Sequence, residues 1–346
     1  MKRIAAYLAF GLLAAAACSD RLDKEGGDVP ILFSSSVNVV SVPSKVALSS
    51  EDDLIKTDNI IGVFGDWRPA GANAGHQSIF SNQKVVCTSG ANNTWTYNPV
   101  KYWMKTGKYE FFAVYPDNVD SEYDISGNRL VATYSMHASS YDLMVARKTC
   151  DMSDNINTEQ PVELPFKHAL AAVRFLFKKG DGVSTHYYIN SFELKYIKTI
   201  GVLLYEGGDV TNEEWLTYDY RAPQVRAWEA KDESERIDIP ETFQDFLYEN
   251  WQYVIPQSIK TTDEEKPSVS FTVTVDQSTV PVPTTLTLPD KYTDAQGTHD
   301  AVWEAGKVYN YYILIQPSKV AISLVVVPWE KRYIAVDDLI FTLDEE

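Results

Sequence analysis

The sequence predicts an all-β protein, on three observations. Apolar and polar side chains alternate with period two along much of the 346 residues, which is the pattern of half-buried strands. Helical spacing is hard to find beyond the first segment. Turn formers recur at short intervals, as in Pro116-Asp117-Asn118, Ser126-Gly127-Asn128, Lys179-Gly180-Asp181-Gly182 and Gly207-Gly208-Asp209, and they break the runs where strands must reverse. Many short strands with frequent turns predict sandwiches or barrels rather than a parallel sheet.

The elements follow in chain order. Lys2 and Arg3 precede an uncharged run over 4–17. That run falls short of the about 20 apolar residues a membrane span needs and has the form of a secretory signal, assigned to 1–17. Ala15-Ala16-Ala17-Cys18 places small residues before a cysteine, which predicts acylation of Cys18 and an outer-membrane lipoprotein at the cell surface. An ordinary cleaved signal is the other reading. Residues 18–28 are polar and contain Gly26-Gly27, so they read as a flexible tether. A first strand is expected over 29–40, with Ile31, Phe33, Val37 and Val39 on one face. Tyr109, Phe111, Ala113 and Tyr115 form another stripe, against Lys108 and Glu110.

The stretch 150–165 is polar, rich in Asp, Asn and Thr, and divides two strand-rich halves. The boundary is placed there, giving one β-sandwich at 29–160 and a second at 161–346, each long enough for about seven strands. In the second half Ala169, Ala171, Val173, Phe175 and Phe177 alternate with His168 and Arg174. Phe192, Leu194 and Tyr196 oppose Ser191, Glu193 and Lys195. The clearest alternation is 268–275, where Val269, Phe271, Val273 and Val275 oppose Ser268, Ser270, Thr272 and Thr274. That is an antiparallel strand with one wet face. Tyr309, Tyr311, Ile313 and Ile315 precede Gln316-Pro317-Ser318, and Val320, Ile322, Leu324 and Val326 follow it. One short helix is expected within 239–250, opened by Pro240.

Composition removes several functions. A net charge of −17 repels phosphate backbones, so nucleic acid is not an expected partner. Five histidines, His76, His137, His168, His186 and His299, lack the His-Glu-x-x-His spacing of a zinc site, and no Cys-x-x-Cys occurs. No nucleophile elbow or phosphate loop is present. No catalytic residue, metal or cofactor is therefore expected. His168, at the head of a strand, reads as an interfacial histidine. Residues 151–159 offer oxygens at alternate positions, as a calcium loop does, but lack its turn glycine and closing glutamate; a solvated linker is the simpler reading. With Cys18 acylated, Cys87 and Cys150 remain. They either pair in an oxidising compartment or stay as two buried thiols. Eight tryptophans are available for stacking on sugars, which makes a non-polymerising, glycan-binding surface lipoprotein the second functional reading.

Several segments in combination resemble the fimbrillin family of Bacteroidetes, the subunits of type V pili, in its fimbrillin-like branch. They are Ile31-Leu32-Phe33-Ser34, Ile60-Ile61-Gly62-Val63-Phe64-Gly65, Trp95-Thr96-Tyr97-Asn98-Pro99, Lys101-Tyr102-Trp103 and Tyr109-Glu110-Phe111-Phe112-Ala113-Val114-Tyr115-Pro116. Leu164-Pro165-Phe166-Lys167-His168-Ala169-Leu170-Ala171, Val254-Ile255-Pro256-Gln257, Trp303-Glu304-Ala305-Gly306-Lys307-Val308-Tyr309 and Val327-Pro328-Trp329 follow in order. The resemblance implies two tandem transthyretin-like antiparallel β-sandwich domains and no catalysis. It implies partners among other pilin subunits, an outer-membrane anchor, and a host or bacterial surface ligand for adhesion. It also implies assembly by strand exchange. A protease removes the first strand, and a donor strand from the next subunit fills the groove by β-augmentation.

On that pattern Ile31, Phe33, Val37 and Val39 belong to the removable strand. The donor candidate spans 333–343 and carries Ile334, Val336, Leu339, Ile340, Phe341 and Leu343; completion of its own sheet is the alternative. Family cleavage follows an arginine after the first strand. Between Val40 and Asn59 this chain offers only Lys45 and Lys56, so the cut site departs from the pattern. An uncut anchor or tip subunit is the alternative to a lysine-cleaved stalk subunit.

Overall fold

The computed structural model describes residues 28–37, 54–71, 75–136, 141–218, 220–245, 252–261, 264–276, 280–294 and 296–329. Cys18, Val39, Lys45, the donor-candidate residues Ile334, Val336, Leu339, Ile340, Phe341 and Leu343, and Trp251 lie outside them. The regular structure of the described residues is strand, apart from short 3-10 turns. The first fourteen strands are β1 (Phe33–Val37), β2 (Ile60–Arg68), β3 (Gln77–Ser89), β4 (Thr94–Thr96), β5 (Lys108–Tyr115), β6 (Asp120–Asp124), β7 (Arg129–Ser135), β8 (Met144–Asp151), β9 (Val162–His168), β10 (Ala171–Lys179), β11 (Tyr187–Lys195), β12 (Ile200–Tyr205), β13 (Trp215–Thr217) and β14 (Val225–Glu229).

Seven strands hydrogen-bond into a closed barrel in the order β1-β4-β3-β2-β5-β8-β9. Closure leaves no bare sheet edge. Neighbours are antiparallel except at the seam, where β1 runs parallel to β9. The inward phase of each strand fills the barrel with Phe33, Ile61, Val63, Phe80, Val85, Trp95, Tyr109, Phe111, Leu164 and Phe166. β9 belongs to this barrel, so the expected boundary at 160/161 falls one strand ahead of the barrel's last member.

A sandwich follows. One sheet runs Gln244–Asp245, β10, Lys307–Ile315, Val320–Pro328, with Gln252–Val254 also on β10. The facing sheet runs β14, β11, Ser268–Val275, Val282–Thr287, with Ile237–Asp238 also on β11. Phe175, Phe177, Tyr311 and Ile313 of the first sheet meet Ile189, Phe192, Leu194 and Phe271 of the second in one core. Ser268–Val275 is the strand expected, with Val269, Phe271 and Val273 buried. No helix opens at Pro240 in the described part of 239–250. Gln244–Asp245 instead pairs with Phe177 and Leu176 of β10.

A third, four-stranded sheet joins the two halves of the chain in the order β13-β12-β7-β6. β7 and β12 pair over six residues, from Ile200↔Ser135 to Tyr205↔Leu130. This sheet covers the outer face of β2 and β5, where Phe64, Phe112 and Val114 pack against Leu130, Ala132, Tyr134, Leu203 and Trp215. β5 is therefore buried on both faces. Glu110, expected on a wet face, is buried and paired with Arg147 Nε at 2.6 Å and Thr149 Oγ1 at 2.6 Å. Arg174 is buried in the same way, against Asp245 at 2.9 Å. Both are charged groups kept inside by a partner, as burial of charge requires.

Candidate functional site

The strand that closes the barrel is the feature the sequence singles out. In β1, Phe33, Ser35 and Val37 point inward while Ser34 and Ser36 lie half-buried on the other side. Ile31 is 0%, Phe33 2% and Val37 6% exposed, so three of the four residues assigned to the removable strand share the core face. Phe33 meets three rings, Phe80 at 5.5 Å and Tyr97 and Phe111 at 5.7 Å each. Such edge-to-face and tilted pairs add about 0.5–1.5 kcal/mol beyond buried area.

Backbone bonds hold the segment on both sides. Five residues pair in parallel with β9, from Phe33↔Val162 to Val37↔Phe166. On the other side only Phe33↔Trp95 joins β1 to β4. Ahead of it, Ile31 N donates to Lys101 O at 2.8 Å and Trp103 N donates to Val29 O at 3.0 Å. Tyr97 Oη donates to Ile31 O at 2.7 Å, and burial pushes this phenol up to about 12.

Ser35 is the residue the sequence reading passed over. It occupies the inward phase between Phe33 and Val37 and is buried. Asn93, at φ 48° in the turn before β4, satisfies it. Asn93 Oδ1 accepts from Ser35 N and Ser35 Oγ at 3.2 Å each and from Trp95 Nε1 at 2.8 Å. Counting by twos from Phe33 would have found it.

The two sides of β1 have unequal holds, and the strand fills the core. Burying Ile31, Phe33 and Val37 at about 1.5–3 kcal/mol each makes a term comparable with the about 5–15 kcal/mol stability of a whole domain. Losing the segment would leave a hydrophobic groove between β9 on one side and β4 with residues 101–103 on the other. Lys56 lies past β1 with its side chain exposed. Its carbonyl accepts from Asn59 N at 3.1 Å in a turn that follows buried Leu54.

The remaining sequence candidates behave differently. Cys87 and Cys150 are buried free thiols, and burial raises both pKa values. The disulfide reading is corrected by the register. Val86 pairs with Ile60 at one end of β2, while Cys150 pairs with Tyr109 opposite Trp67 at the other end. Seven residues at roughly 3.3 Å each separate those levels by about 23 Å, whereas a disulfide needs Cα atoms within about 7 Å. In 151–159, Asp151 Oδ1 caps Ser153 N at 2.9 Å, and Asn157 Oδ1 accepts from Glu159 N at 3.1 Å. These oxygens serve the backbone of the linker.

Each described histidine places a ring nitrogen on an aspartate: His76 on Asp66, His168 on Asp142, His186 on Asp238 and His299 on Asp294. Trp67, Trp95, Trp103, Trp215, Trp303 and Trp329 are buried and Trp228 is half-buried. The described tryptophans form core, and no exposed row of them is present to stack on sugars.

Comparison with known proteins agrees with this architecture. Among solved structures, a fimbrial protein from Bacteroides vulgatus superposes with a TM-score of 0.54 at 13% identity, covering 87% of this chain and 100% of that one. A putative cell adhesion protein from Bacteroides ovatus gives 0.52 at 15% identity, covering 87% and 97%. Another from Bacteroides uniformis gives 0.50 at 16% identity, covering 87% and 99%. At these identities the likeness is one of fold. A search by sequence among curated proteins finds no match. The family model described as fimbrillin-like matches residues 47–329, and by that match this all-β chain belongs to the fimbrillin-like family.

Proposed function

We propose that this protein is a non-catalytic structural subunit of an adhesive pilus at the cell surface, delivered as a lipoprotein through Cys18 and assembled by exchange of β-strands. The observation that supports it best is β1. Its side chains fill the barrel, and it is hydrogen-bonded unequally to its two neighbours. Cleavage after Lys45 or Lys56 would free it, and an apolar strand from another subunit would occupy the same inward positions. The donor in this reading is 333–343, which carries Ile334, Val336, Leu339, Phe341 and Leu343; Leu339, Phe341 and Leu343 share one strand face and would enter the pockets left by Ile31, Phe33 and Val37. The partners are other pilin subunits, and the outer membrane holds the unassembled or anchoring form.

Deleting 333–346 tests the donor role. The truncated protein is expected to keep its strand content by circular dichroism and to form no polymer after protease treatment, as judged by electron microscopy. Filaments from the truncated chain would sink it. The N-terminal residue of protein sheared from cells reports the cut. A start at Val46 or Thr57 marks processed subunits, and acylated Cys18 marks the anchored form.

A further inference from the structure

The end of β9 at His168, Tyr253, Gly306 and Trp329 meet at one place. The ring of Trp329, 2% exposed, stacks on His168 with centroids 4.1 Å apart and planes 18° apart. It also stacks on Tyr253 at 5.9 Å and 11°. His168 is the last residue of β9 and so belongs to the barrel. Its Nδ1 lies 2.7 Å from Asp142 Oδ2. Tyr253 pairs with Ala172 of β10 and so belongs to the sandwich. Trp329 N donates to Gly306 O at 3.0 Å, and Gly306 N donates to Leu170 O at 2.9 Å. Val327, Val308 and Ala172 pack beside the indole.

Trp329 also follows directly on Val320–Pro328, which pairs with Lys307–Ile315 and lies at the end of its sheet. A terminal strand pulled from its end peels, because its backbone bonds are strained one after another. A clamp at the point of pull changes that, because its stacks and backbone bond must yield before the first pair of the strand is reached.

We propose that Trp329, clamped between His168 and Tyr253, is the anchor that passes tension from the C-terminal segment into the barrel and the sandwich together. It thereby keeps Val320–Pro328 from peeling. The inference rests on the reading that another subunit holds 333–343. A pilus subunit pulled through that segment needs such an anchor, and His168 and Tyr253 act as its positioning residues.

Single-molecule force spectroscopy on the mature chain, with handles at its N-terminus and at Glu346, tests this. The wild type should extend in no step before a whole body unfolds. His168→Ala and Trp329→Leu should show an early, lower-force step from release of the nine residues of Val320–Pro328, roughly 30 Å of chain. His168→Phe keeps a ring on the indole and should return the wild-type trace. Forced unfolding reads the unfolding rate, so hydrogen exchange on the unloaded variants checks that the fold is intact. If Trp329→Leu fails to fold, the Ala and Phe variants at His168 decide alone. A wild-type trace from folded His168→Ala overturns the anchor. Its failure is separable from that of strand donation. Polymer formation after deletion of 333–346 refutes donation and leaves the force result standing, whereas blocked polymerisation with an unchanged force trace refutes the anchor alone.

Discussion

At the scale of single residues, Phe33 and Tyr97 carry the closing strand, in different ways. Phe33 touches three rings in a closed core, and truncating it leaves a cavity the barrel cannot collapse into. Phe33→Ala should cost about 3–5 kcal/mol in urea unfolding; a loss below about 1 kcal/mol would mean that β1 is not part of the cooperative core. Tyr97 acts through a hydrogen bond to Ile31 O. Burial raises its phenol from 10.0 to about 12, so the folded chain favours the neutral, donating form. That contribution is whole below pH 10 and is lost as pH rises through about 12. Tyr97→Phe should therefore be less stable than wild type by about 0.5–1.5 kcal/mol below pH 10, with the gap closing by pH 12. A gap independent of pH would remove the hydrogen bond from the account. Ser35 shows what a residue-type reading misses. Its polarity hid an inward position that the period of two assigns without ambiguity, and Asn93 supplies the partners that make burial tolerable.

Among the elements, alternation disclosed the strands and their faces but not their neighbours. Ser268–Val275 formed with Val269, Phe271 and Val273 on the core face as its pattern dictates, while Ser268 and Thr274 of the face expected to be wet are buried and Ser270 and Thr272 half-buried. The inward face of β1 was legible for the same reason. β5 and β10 were misread as half-exposed, since period two is the same whether the second face meets water or another layer. Glu110 and Arg174 looked like surface charges until their partners, Arg147 and Asp245, were brought across 37 and 71 residues of sequence. The parallel seam between β1 and β9 joins residues more than a hundred positions apart, and nothing local in either strand specifies it. The Cys87–Cys150 question was settled by register, which sequence spacing does not contain. The stack at Trp329 is legible only as two separate motifs, since a tryptophan after an edge strand and a histidine ending another say nothing of each other until folding joins them.

For the whole molecule, the decisive feature is that the halves share a sheet. β7 and β12 pair over six residues, and the core beneath them takes Phe112 and Tyr134 from one side of the expected boundary and Leu203, Tyr205, Trp215 and Ile255 from the other. Polar links reinforce the join. Arg147 donates to Glu206 O beside Gly207, whose φ of 113° and 2.6 Å clearance from Arg147 Cδ admit no Cβ. Lys167 meets Asp209 at 2.5 Å, and Trp215 Nε1 donates to Ala169 O at 3.0 Å. Cutting between residues 160 and 161 would take β9 from the barrel, halve the third sheet and expose Phe64, Phe112 and Val114, an apolar face on which β2 and β5 depend. Chains 29–160 and 161–346 expressed separately should therefore aggregate or remain unfolded, while their co-expression should recover a soluble complex by size-exclusion chromatography. Two independently soluble halves, each with a cooperative unfolding transition, would contradict this. The two halves thus meet through a shared four-stranded sheet and a packed core, not a linker.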